Sequence, residues 1–421
     1  MDKLVIEGGI PLRGEVVVAG AKNAALPIMA ATLLTTDECV IDNVPLVEDV
    51  RNMAEILRQV GCCVRLEPEA HRVVVRAPEV PDLNTFVPTD LAIKMRASFL
   101  TTGPILARGG RVSAPHPGGC SIGRRPVNVD IKSFASMGAR VELSESHYHL
   151  EADRLRGERI YLDYPSHTGT ENILLAASLA EGTTIIKHAS VEPEVSDLAQ
   201  CLCQMGAQIE GVGSSYIQIR GVDRLHGVHY RVAPDRIEAG TFAIAGAITG
   251  GDVVIRDIVP DHMDPLTHKL IEVGAEVQLE GPSYRVRATG DLHAVELQTL
   301  HFPGFPTDLQ AAFATLLTQS YGTSLVHERV FDDRLQYAKE LRKLGADIRV
   351  DGHTATISGP SSLTGTTVRA LDIRSGAALI LAGLAARGST EIHDIYHIDR
   401  GYEHVDRKLR GLGARIDRVA A

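Results

Sequence analysis

The feature that most constrains this 421-residue chain is an internal repeat. Six segments share one pattern, in which an apolar helical face is followed by glycine, a small residue, one further residue, an apolar residue and a strand: MAEILRQVGCCVRL, IKSFASMGARVEL, LAQCLCQMGAQIE, LTHKLIEVGAEVQL, AKELRKLGADIRV and DRKLRGLGARIDRV. Their glycines are Gly61, Gly138, Gly206, Gly274, Gly345 and Gly413, at intervals of 68 to 77 residues. The chain therefore contains six copies of one supersecondary unit, each of about 70 residues.

Each repeat contains two kinds of helix. The helix before the glycine carries apolar residues three and four apart, and the glycine fits the left-handed conformation that ends a helix. An earlier helix is apolar nearly all round, which predicts burial on every side; the six read NAALPIMAATLL, MRASFLTTGPILA, TENILLAASLAEG, GTFAIAGAITGG, DLQAAFATLLTQS and GAALILAGLAARG. Strands such as TTIIKHAS follow them. We therefore predict an α/β fold of strand, helix, strand, helix, strand repeats, with the apolar helices inside and the sheets outside.

Six repeats are too many for one hydrophobic core, so three repeats in each of two domains fit the usual domain size. The stretch DRLHGVHYRVAPD near residue 230 lies between the third and fourth repeats and is the expected crossing point. A binding cleft between the domains is expected, because ligand sites favour domain interfaces. The alternative is an open solenoid that binds proteins, although solenoid repeats usually span about 20–50 residues.

Charge and hydropathy argue against several classes of partner. The 43 basic and 53 acidic residues give a net charge of −10, which disfavours general binding to nucleic acid or to an anionic membrane. The N-terminal stretch lacks the long apolar core of a signal peptide, and no run reaches 18 uninterrupted apolar residues. We expect a cytoplasmic protein.

The cysteines predict no metal site. They are Cys39, Cys62, Cys63, Cys120, Cys201 and Cys203. All but Cys120 fall inside apolar helix or strand patterns and are expected to be buried small hydrophobic residues. Neither a C-x-x-C pair nor an H-E-x-x-H motif occurs, so we expect no metal.

Cys120 lies in a glycine-rich loop from Pro115 to Pro126, PHPGGCSIGRRP. Glycines on both sides allow the backbone to close over a ligand, and the two arginines after the thiol favour thiolate and attract phosphate or carboxylate. An anionic substrate is the natural inference. One alternative is an ordinary surface loop with an incidental cysteine, and another is a thiol hydrolase that uses His116 as its base.

Six segments carry a family resemblance: GAKNAALPI (20–28), KMRAS (94–98), PGGCSIGRRPV (117–127), PDRIEAGTF (234–242), FPTDLQA (305–311) and YHIDRGYE (396–403). In these segments, which extend from the beginning to the end of the sequence, the chain resembles the UDP-N-acetylglucosamine enolpyruvyl transferase family. The resemblance implies the enolpyruvyl transferase fold, with two inside-out α/β barrel domains of three βαβαβ-type repeats each. Residues 22–233 would form the N-terminal domain, with the Cys120 loop at 115–126, and residues 1–21 with 234–421 the C-terminal domain.

The resemblance also implies a reaction. The enolpyruvyl group of phosphoenolpyruvate moves to the 3-hydroxyl of UDP-N-acetylglucosamine and phosphate leaves, as the first committed step of peptidoglycan synthesis. Cys120 matches the family's proton donor, which fosfomycin alkylates, and Asp308 matches the base at the 3-hydroxyl. From the residues alone, Asp308 could instead be the N-cap of the helix that follows it. The catalytic set implied is Cys120, Asp308, Lys22 and Arg400.

Substrate-binding residues are implied by the same motifs. They are Lys22, Asn23, Arg96, Arg125, Pro126, Val127, Asn128, Val129, Tyr164, Pro165, Ser166, His167, Thr168, Asp308, Val330, Arg334, Arg374 and Arg400. Planar guanidinium groups suit the phosphate and carboxylate of phosphoenolpyruvate, and the stretch 164–168 matches the family's diphosphate-contacting segment. The chain departs from some relatives at Glu48, Asn128, Tyr164 and Asp332.

The expected partners are the two small-molecule substrates, without a cofactor, a nucleic acid or a membrane, and the protein is expected to be a monomer. Two other functions stay open. A transferase of the same fold could use shikimate 3-phosphate as acceptor, although Cys120 and the run RPVNV argue against it. A catalytically silent scaffold could bind a nucleotide sugar or a protein, although the full catalytic set argues against that.

Overall fold

The computed structural model describes residues 2–118 and 127–420. The described chain divides into two compact units. The N-terminal unit comprises residues 20–118 and 127–233, and the C-terminal unit comprises residues 2–19 and 234–420. Among the described residues, no helix combines the length and the apolar character that crossing a bilayer requires.

The secondary structure consists of short strands and helices that alternate along the chain. The strands are β1 Asp2–Glu7, β2 Arg13–Val17, β3 Cys39–Asp42, β4 Cys63–Glu67, β5 Arg72–Arg76, β6 Arg111–Pro115, β7 Arg140–Leu143, β8 His147–Glu151, β9 Arg159–Tyr161, β10 Thr183–Lys187, β11 Gln208–Glu210, β12 Tyr216–Arg220, β13 His229–Arg231, β14 Asp252–Arg256, β15 Glu276–Glu280, β16 Ser283–Arg287, β17 Glu296–Gln298, β18 Gly322–His327, β19 Asp347–Asp351, β20 Thr354–Gly359, β21 Thr367–Arg369, β22 Ser389–His393 and β23 Arg415–Ala420.

The α-helices are α1 Lys22–Ala31, α2 Glu48–Gln59, α3 Thr89–Ala92, α4 Thr102–Gly109, α5 Asn128–Ser136, α6 His167–Ala177, α7 Pro193–Gln204, α8 Arg236–Ile248, α9 Asp264–Val273, α10 Thr307–Leu317, α11 Tyr337–Lys343, α12 Ile373–Ala385, α13 Tyr396–Asp399 and α14 Val405–Gly411. Short 3₁₀ turns include Arg96–Thr101, which leads into α4, and Arg334–Gln336, which leads into α11.

The repeat contains one strand more than the sequence pattern predicts. In the third repeat, β9 pairs in parallel with β10, and β12 lies antiparallel between β10 and β11. Four other sheets have the same order, which makes the repeat strand, helix, strand, helix, strand, strand. In the fourth and fifth repeats the last two strands are joined by two-residue turns, β15 to β16 and β19 to β20.

Three strands complete sheets far from their own place in the chain. β13, at the end of the N-terminal unit, pairs in parallel with β3 of the first repeat. β2 pairs in parallel with β14, and β1 lies between β22 and β23 of the last repeat. The second repeat has a three-stranded sheet, and a parallel bridge between Phe86 and Ser113 stands where its first strand would lie.

The apolar helices form the cores of the two units, as predicted. All residues of α8 are buried, and α12 is buried from Ile373 to Leu384. α10 packs against both α8 and α12, and in the other unit α6 contacts α1 and α4. Strands such as β12 and β16 alternate buried and exposed residues, since one face of each sheet covers the helices.

The six repeat glycines confirm the predicted helix ends. Their φ angles lie between +94° and +105°, the region that L-residues with a side chain rarely adopt. At Gly138 and Gly413 an added Cβ would meet no atom within 4 Å. Backbone conformation, rather than crowding, therefore requires glycine at these two positions.

This requirement gives a stability prediction. Gly413→Ala should lower the free energy of unfolding by about 1–2 kcal/mol, because alanine would be forced into the left-handed region. Gly411→Ala is the matched control, since Gly411 lies in the last turn of α14 with no positive φ and with no atom within 4 Å of an added Cβ. It should be neutral or stabilising by up to ~1 kcal/mol. Denaturant unfolding of both variants is the measurement, and equal losses would contradict the argument.

The expectation that five cysteines are buried is wrong for two of them. Cys39, Cys62 and Cys201 are buried, but Cys63 and Cys203 are exposed. Cys63 lies on a strand whose neighbours alternate between faces, and Cys203 lies in the last turn of α7. In both cases an apolar neighbour in the sequence points the other way and fills the core.

Candidate active site

The clearest polar cluster of the C-terminal unit is a carboxylate between two guanidinium groups. Nη2 of Arg334 lies 2.7 Å from Oδ1 of Asp308, and Nη2 of Arg374 lies 2.7 Å from Oδ2. The arginine side chains are 4% and 6% exposed, whereas that of Asp308 is 25% exposed. The carboxylate is therefore held by two buried cations and is itself one quarter exposed.

The helix that carries Arg374, α12, has a well-capped N-terminus. Asp372 is the N-cap of α12 and accepts hydrogen bonds from the backbone N–H groups of Arg374 and Ser375, at 2.8 and 3.1 Å. The Ser375 hydroxyl accepts the N–H of Asp372 in return, which completes a capping box. The sequence DIRS thus fixes the first turn of α12 and the origin of the Arg374 side chain.

The guanidinium of Arg374 is held as a cation inside the unit. Burial disfavours its charged form, but Asp308, Tyr402 and Asp235 together outweigh burial and raise the pKa of Arg374. The guanidinium carbon also lies 5.6 Å from the ring centre of Tyr402, a cation–π distance. The hydroxyl of Tyr402 is in turn 2.8 Å from that of Thr241 on α8.

Asp308 is not a helix cap. The N-cap of α10 is Pro306, with no side-chain cap bond, and Asp308 is the second residue of the helix. Its carboxylate points to the two arginines instead of back to the helix N–H groups. The alternative reading of this residue as an N-cap is therefore wrong.

Arg400 lies at the end of α13 in the YHIDRGYE segment and is partly buried. Its charge acts on His397 of the same segment, whose pKa is lowered first by burial and then by Arg400. His397 therefore stays neutral near pH 7, which keeps a second positive charge out of this segment.

In the N-terminal unit, Lys22 is the first residue of α1 and Asn23 the second. Nζ of Lys22 lies 3.4 Å from Oδ2 of Asp49, which is buried in the first turn of α2. Asp49 was missed by the sequence reasoning, because an acidic residue in the first turn of a helix is usually explained by the helix dipole.

Arg96, at the start of the 3₁₀ turn before α4, belongs to a buried polar network. Burial lowers its pKa, and the carboxylate of Asp130 with the phenol of Tyr164 acts in the opposite direction. Asp130 accepts a hydrogen bond of 2.9 Å from Nδ2 of Asn172, and Asn172 also bonds the backbone at Phe99 and Gly103. The electrostatic effect of Tyr164 on Arg96 places these two residues, both predicted to bind the nucleotide sugar, near each other.

The stretch from Tyr164 to Thr168 starts α6. Ser166 is the N-cap and accepts the N–H of Gly169 at 3.1 Å. Nε2 of His167 lies 3.1 Å from Oε1 of the buried Glu171. Burial disfavours the imidazolium, but the carboxylates of Glu171, Glu194 and Glu192 together outweigh burial and raise the pKa of His167 to about 9. Burial also raises the pKa of Glu171, so the buried His167–Glu171 pair holds its proton between the two side chains.

The remaining predicted residues are distributed as follows. Val127, Asn128 and Val129 start α5, with Asn128 exposed and the two valines buried. Val330 is partly buried and lies between β18 and Arg334, and Pro165 is partly buried before α6. Cys120, Arg125 and Pro126 lie outside the described residues. Of the departures from relatives, Glu48 and Asp332 are exposed.

The described residues hold no group of three or more histidine, cysteine, aspartate or glutamate side chains that could bind a metal ion. They do hold groups suited to binding anions. Guanidinium, ammonium and imidazolium groups recur at the starts of helices and turns, where backbone N–H groups also favour anions. The Asp308 cluster adds an anchored carboxylate that can accept a proton from a ligand hydroxyl.

Comparison with known proteins covers nearly the whole chain. Residues 6–409 match the sequence model of the family described as EPSP synthase (3-phosphoshikimate 1-carboxyvinyltransferase). The chain is 48% identical over 422 residues to UDP-N-acetylglucosamine 1-carboxyvinyltransferase 2 of Carboxydothermus hydrogenoformans, with 100% of both proteins covered. It is 46% identical over 424 residues to UDP-N-acetylglucosamine 1-carboxyvinyltransferase of Myxococcus xanthus, again with 100% of both covered.

Solved structures share the fold. The enolpyruvyl transferase NikO of Streptomyces tendae superposes with a TM-score of 0.89 at 26% identity, over 100% of this chain and 99% of the other. EPSP synthase of Acinetobacter baumannii superposes with a TM-score of 0.76 at 18% identity, over 100% of both chains, which is a likeness of fold alone.

Proposed function

The chain belongs to the UDP-N-acetylglucosamine 1-carboxyvinyltransferases within the EPSP synthase family, and from this premise we propose that it transfers the enolpyruvyl group of phosphoenolpyruvate to UDP-N-acetylglucosamine. The observation that carries the proposal is identity of 43–48% over the full chain to several relatives of that name. The Asp308 cluster and the cationic residues around it fit the chemistry. The product enters peptidoglycan synthesis.

The reaction is an addition followed by an elimination. A proton is added to the methylene carbon of phosphoenolpyruvate, which leaves cationic character on the adjacent carbon. The oxygen of the sugar 3-hydroxyl attacks that carbon and gives up its own proton, which forms a tetrahedral intermediate. Loss of phosphate, together with a proton from the new methyl group, restores the carbon–carbon double bond. The protein must therefore supply an acid, a base and cations for the phosphate and carboxylate.

Asp308 is the proposed base. Its carboxylate is fixed by two hydrogen bonds of 2.7 Å from Arg334 and Arg374, and at 25% exposure it is accessible to the proton of the 3-hydroxyl. As the proton arrives, the two guanidinium groups keep the carboxyl oriented. Cys120 is the proposed acid, on the strength of the matching loop sequence alone.

The cations divide into two proposed roles. Lys22, Arg125 and Arg400 bind the phosphate and carboxylate of phosphoenolpyruvate. Arg334 and Arg374 are 4% and 6% exposed and are already paired to Asp308, so their first role is to orient the base. This differs from the sequence prediction, which placed both arginines among the substrate-binding residues.

The nucleotide is proposed to bind the N-terminal unit. Arg96 and Tyr164 lie in one network, and residues 127–129 start α5 beside it through Asp130. His167 pairs with the buried Glu171, which compensates its charge, and the N-terminus of α6 is the feature that favours a diphosphate here. Ser166 and Thr168 flank His167.

The decisive experiment is an acceptor comparison. Phosphate release from phosphoenolpyruvate should require UDP-N-acetylglucosamine and stay at the no-acceptor rate with shikimate 3-phosphate. Equal rates with the two acceptors would overturn the proposed acceptor while keeping the enolpyruvyl transfer. No release with either acceptor would favour a silent scaffold, which calorimetry with UDP-N-acetylglucosamine alone would then test.

A further inference from the structure

Glu328 is a buried carboxylate that the sequence motifs do not mark. It follows β18, is 2% exposed and lies six residues before Arg334. Burial of a glutamate is costly unless its oxygens are hydrogen-bonded. Both of its oxygens have donors in this structure, and all of these donors are neutral.

One oxygen of Glu328 shapes the loop that follows it. Oε1 accepts the backbone N–H of Val330 at 2.8 Å and that of Phe331 at 3.1 Å. These bonds bend the chain into a turn immediately before Arg334. The ring of Phe331 then lies 5.7 Å from the guanidinium carbon of Arg334. The turn therefore fixes the backbone position of Arg334 and places the Phe331 ring against its guanidinium group.

The other oxygen reaches a distant segment. Oε2 accepts the hydroxyl hydrogen of Thr307 at 3.0 Å, and Thr307 immediately precedes Asp308. Arg334 contacts the same segment: its Nη2 lies 3.4 Å from the carbonyl oxygen of Thr307 and 2.7 Å from Oδ1 of Asp308. A local turn alone would not need the Thr307 bond. The contacts form a closed ring from Glu328 through its loop to Arg334, Asp308, Thr307 and back.

We propose that Glu328 is a positioning residue for the transfer reaction, which holds the base Asp308 and its partner Arg334 in register by joining the Val330–Arg334 loop to the start of α10. The inference rests on the proposed function, because it assigns the purpose of this ring to the base at the sugar hydroxyl. Glu328 does not exchange protons with the substrate. Its two oxygens serve as acceptors only.

Substitution by glutamine and by alanine separates this role from proton transfer. In Glu328→Gln the amide oxygen keeps the bonds to the Val330 and Phe331 N–H groups, and the amide nitrogen donates to the Thr307 hydroxyl. We expect kcat/KM within about fivefold of the unmodified enzyme, the scale of one altered hydrogen bond. Glu328→Ala removes all three bonds, and we expect kcat/KM to fall about 10²-fold, mainly in kcat, since a displacement of about 1 Å has that effect.

Glu340→Ala is the matched control. Glu340 is also a buried glutamate of the C-terminal unit and accepts a backbone N–H, that of Arg369, at 3.0 Å, besides pairing with Lys343. Glu340→Ala should lower the unfolding midpoint. It should lower kcat/KM by no more than about twofold, because Glu340 bonds to Arg369 and Lys343 and not to the Asp308 cluster. Thr307→Val tests the long-range bond, and its effect should vanish in the Glu328→Ala background.

A second readout needs no catalysis. Amide hydrogen exchange at Val330 and Phe331 should accelerate in Glu328→Ala and stay slow in Glu328→Gln. If the unmodified protein releases no phosphate with any acceptor, the proposed function fails, and this exchange result still decides whether Glu328 joins the two segments. The inference is overturned if Glu328→Ala keeps full activity, if Glu328→Gln is as impaired as Glu328→Ala, or if Glu340→Ala loses as much activity.

Discussion

Asp308→Asn should lower kcat about 10³-fold, because an amide cannot take the proton of the attacking hydroxyl. The amide also has one oxygen where two guanidinium groups need acceptors. Its Nδ2 would face a donor on Arg334 or Arg374, which are 4% and 6% exposed. Steady-state phosphate release under saturating phosphoenolpyruvate and UDP-N-acetylglucosamine measures the effect.

The same substitution should lower the free energy of unfolding by ~3 kcal/mol, since it leaves buried positive charge without its partner. Loss of activity through unfolding must therefore be separated from loss of the base. Gly413→Ala serves as the control, because it destabilises the same unit without touching the cluster and should keep its kcat. A folded Asp308→Asn protein with a kcat within tenfold of the unmodified enzyme would remove Asp308 from the role of base.

Cys120→Ala should abolish most of the transfer, by about 10²–10⁴-fold in kcat, since the thiol is the proposed acid of the addition step. The same thiol should be the site at which fosfomycin adds its mass, as peptide mass spectrometry can show. Cys63 and Cys203 are exposed and act as internal controls in that experiment. Although Cys203 is exposed, neighbouring groups partly desolvate its thiol and raise its pKa, which makes it a poor nucleophile.

Two outcomes would contradict the role of Cys120. One is fosfomycin labelling of Cys63 or Cys203 in place of Cys120, because it would show that exposure alone selects the thiol. The other is Cys120→Ala with unchanged phosphate release. Cys203→Ala should behave like the unmodified enzyme in both labelling and turnover, which makes it the matched variant.

The fold was predictable where one residue type has one physical use. Gly138 and Gly413 end helices with a positive φ that other residues avoid, so a repeated glycine after an amphipathic run identifies a helix end. Helices that are apolar on every side can only be interior. The fourth strand of the repeat escaped prediction although a turn signal, Gly281–Pro282, separates β15 from β16, because the stretch after each repeat glycine was taken as one strand.

The site was predictable as a set of residues but not as a set of contacts. Asp308, Arg334 and Arg374 each lie in a family motif, yet they are separated by 26 and 66 residues from the carboxylate they share, so no local pattern pairs them. Glu328 was missed for a related reason. A glutamate after a strand is usually a solvated surface residue, and only the tertiary structure brings Thr307 to it.

The distant strand pairings determine which sheets can form while the chain is still being synthesised. The N-terminal unit closes with β13, so all of its sheets can form from residues 20–233 while later residues are still being made. β2 is translated roughly 240 residues before its partner β14, and β1 waits even longer for β22. During that interval two strands with open edges emerge ahead of any partner, which is a hazard for aggregation. Protein production should therefore respond more to chaperones that shield early nascent segments than to slower elongation near the end of the message.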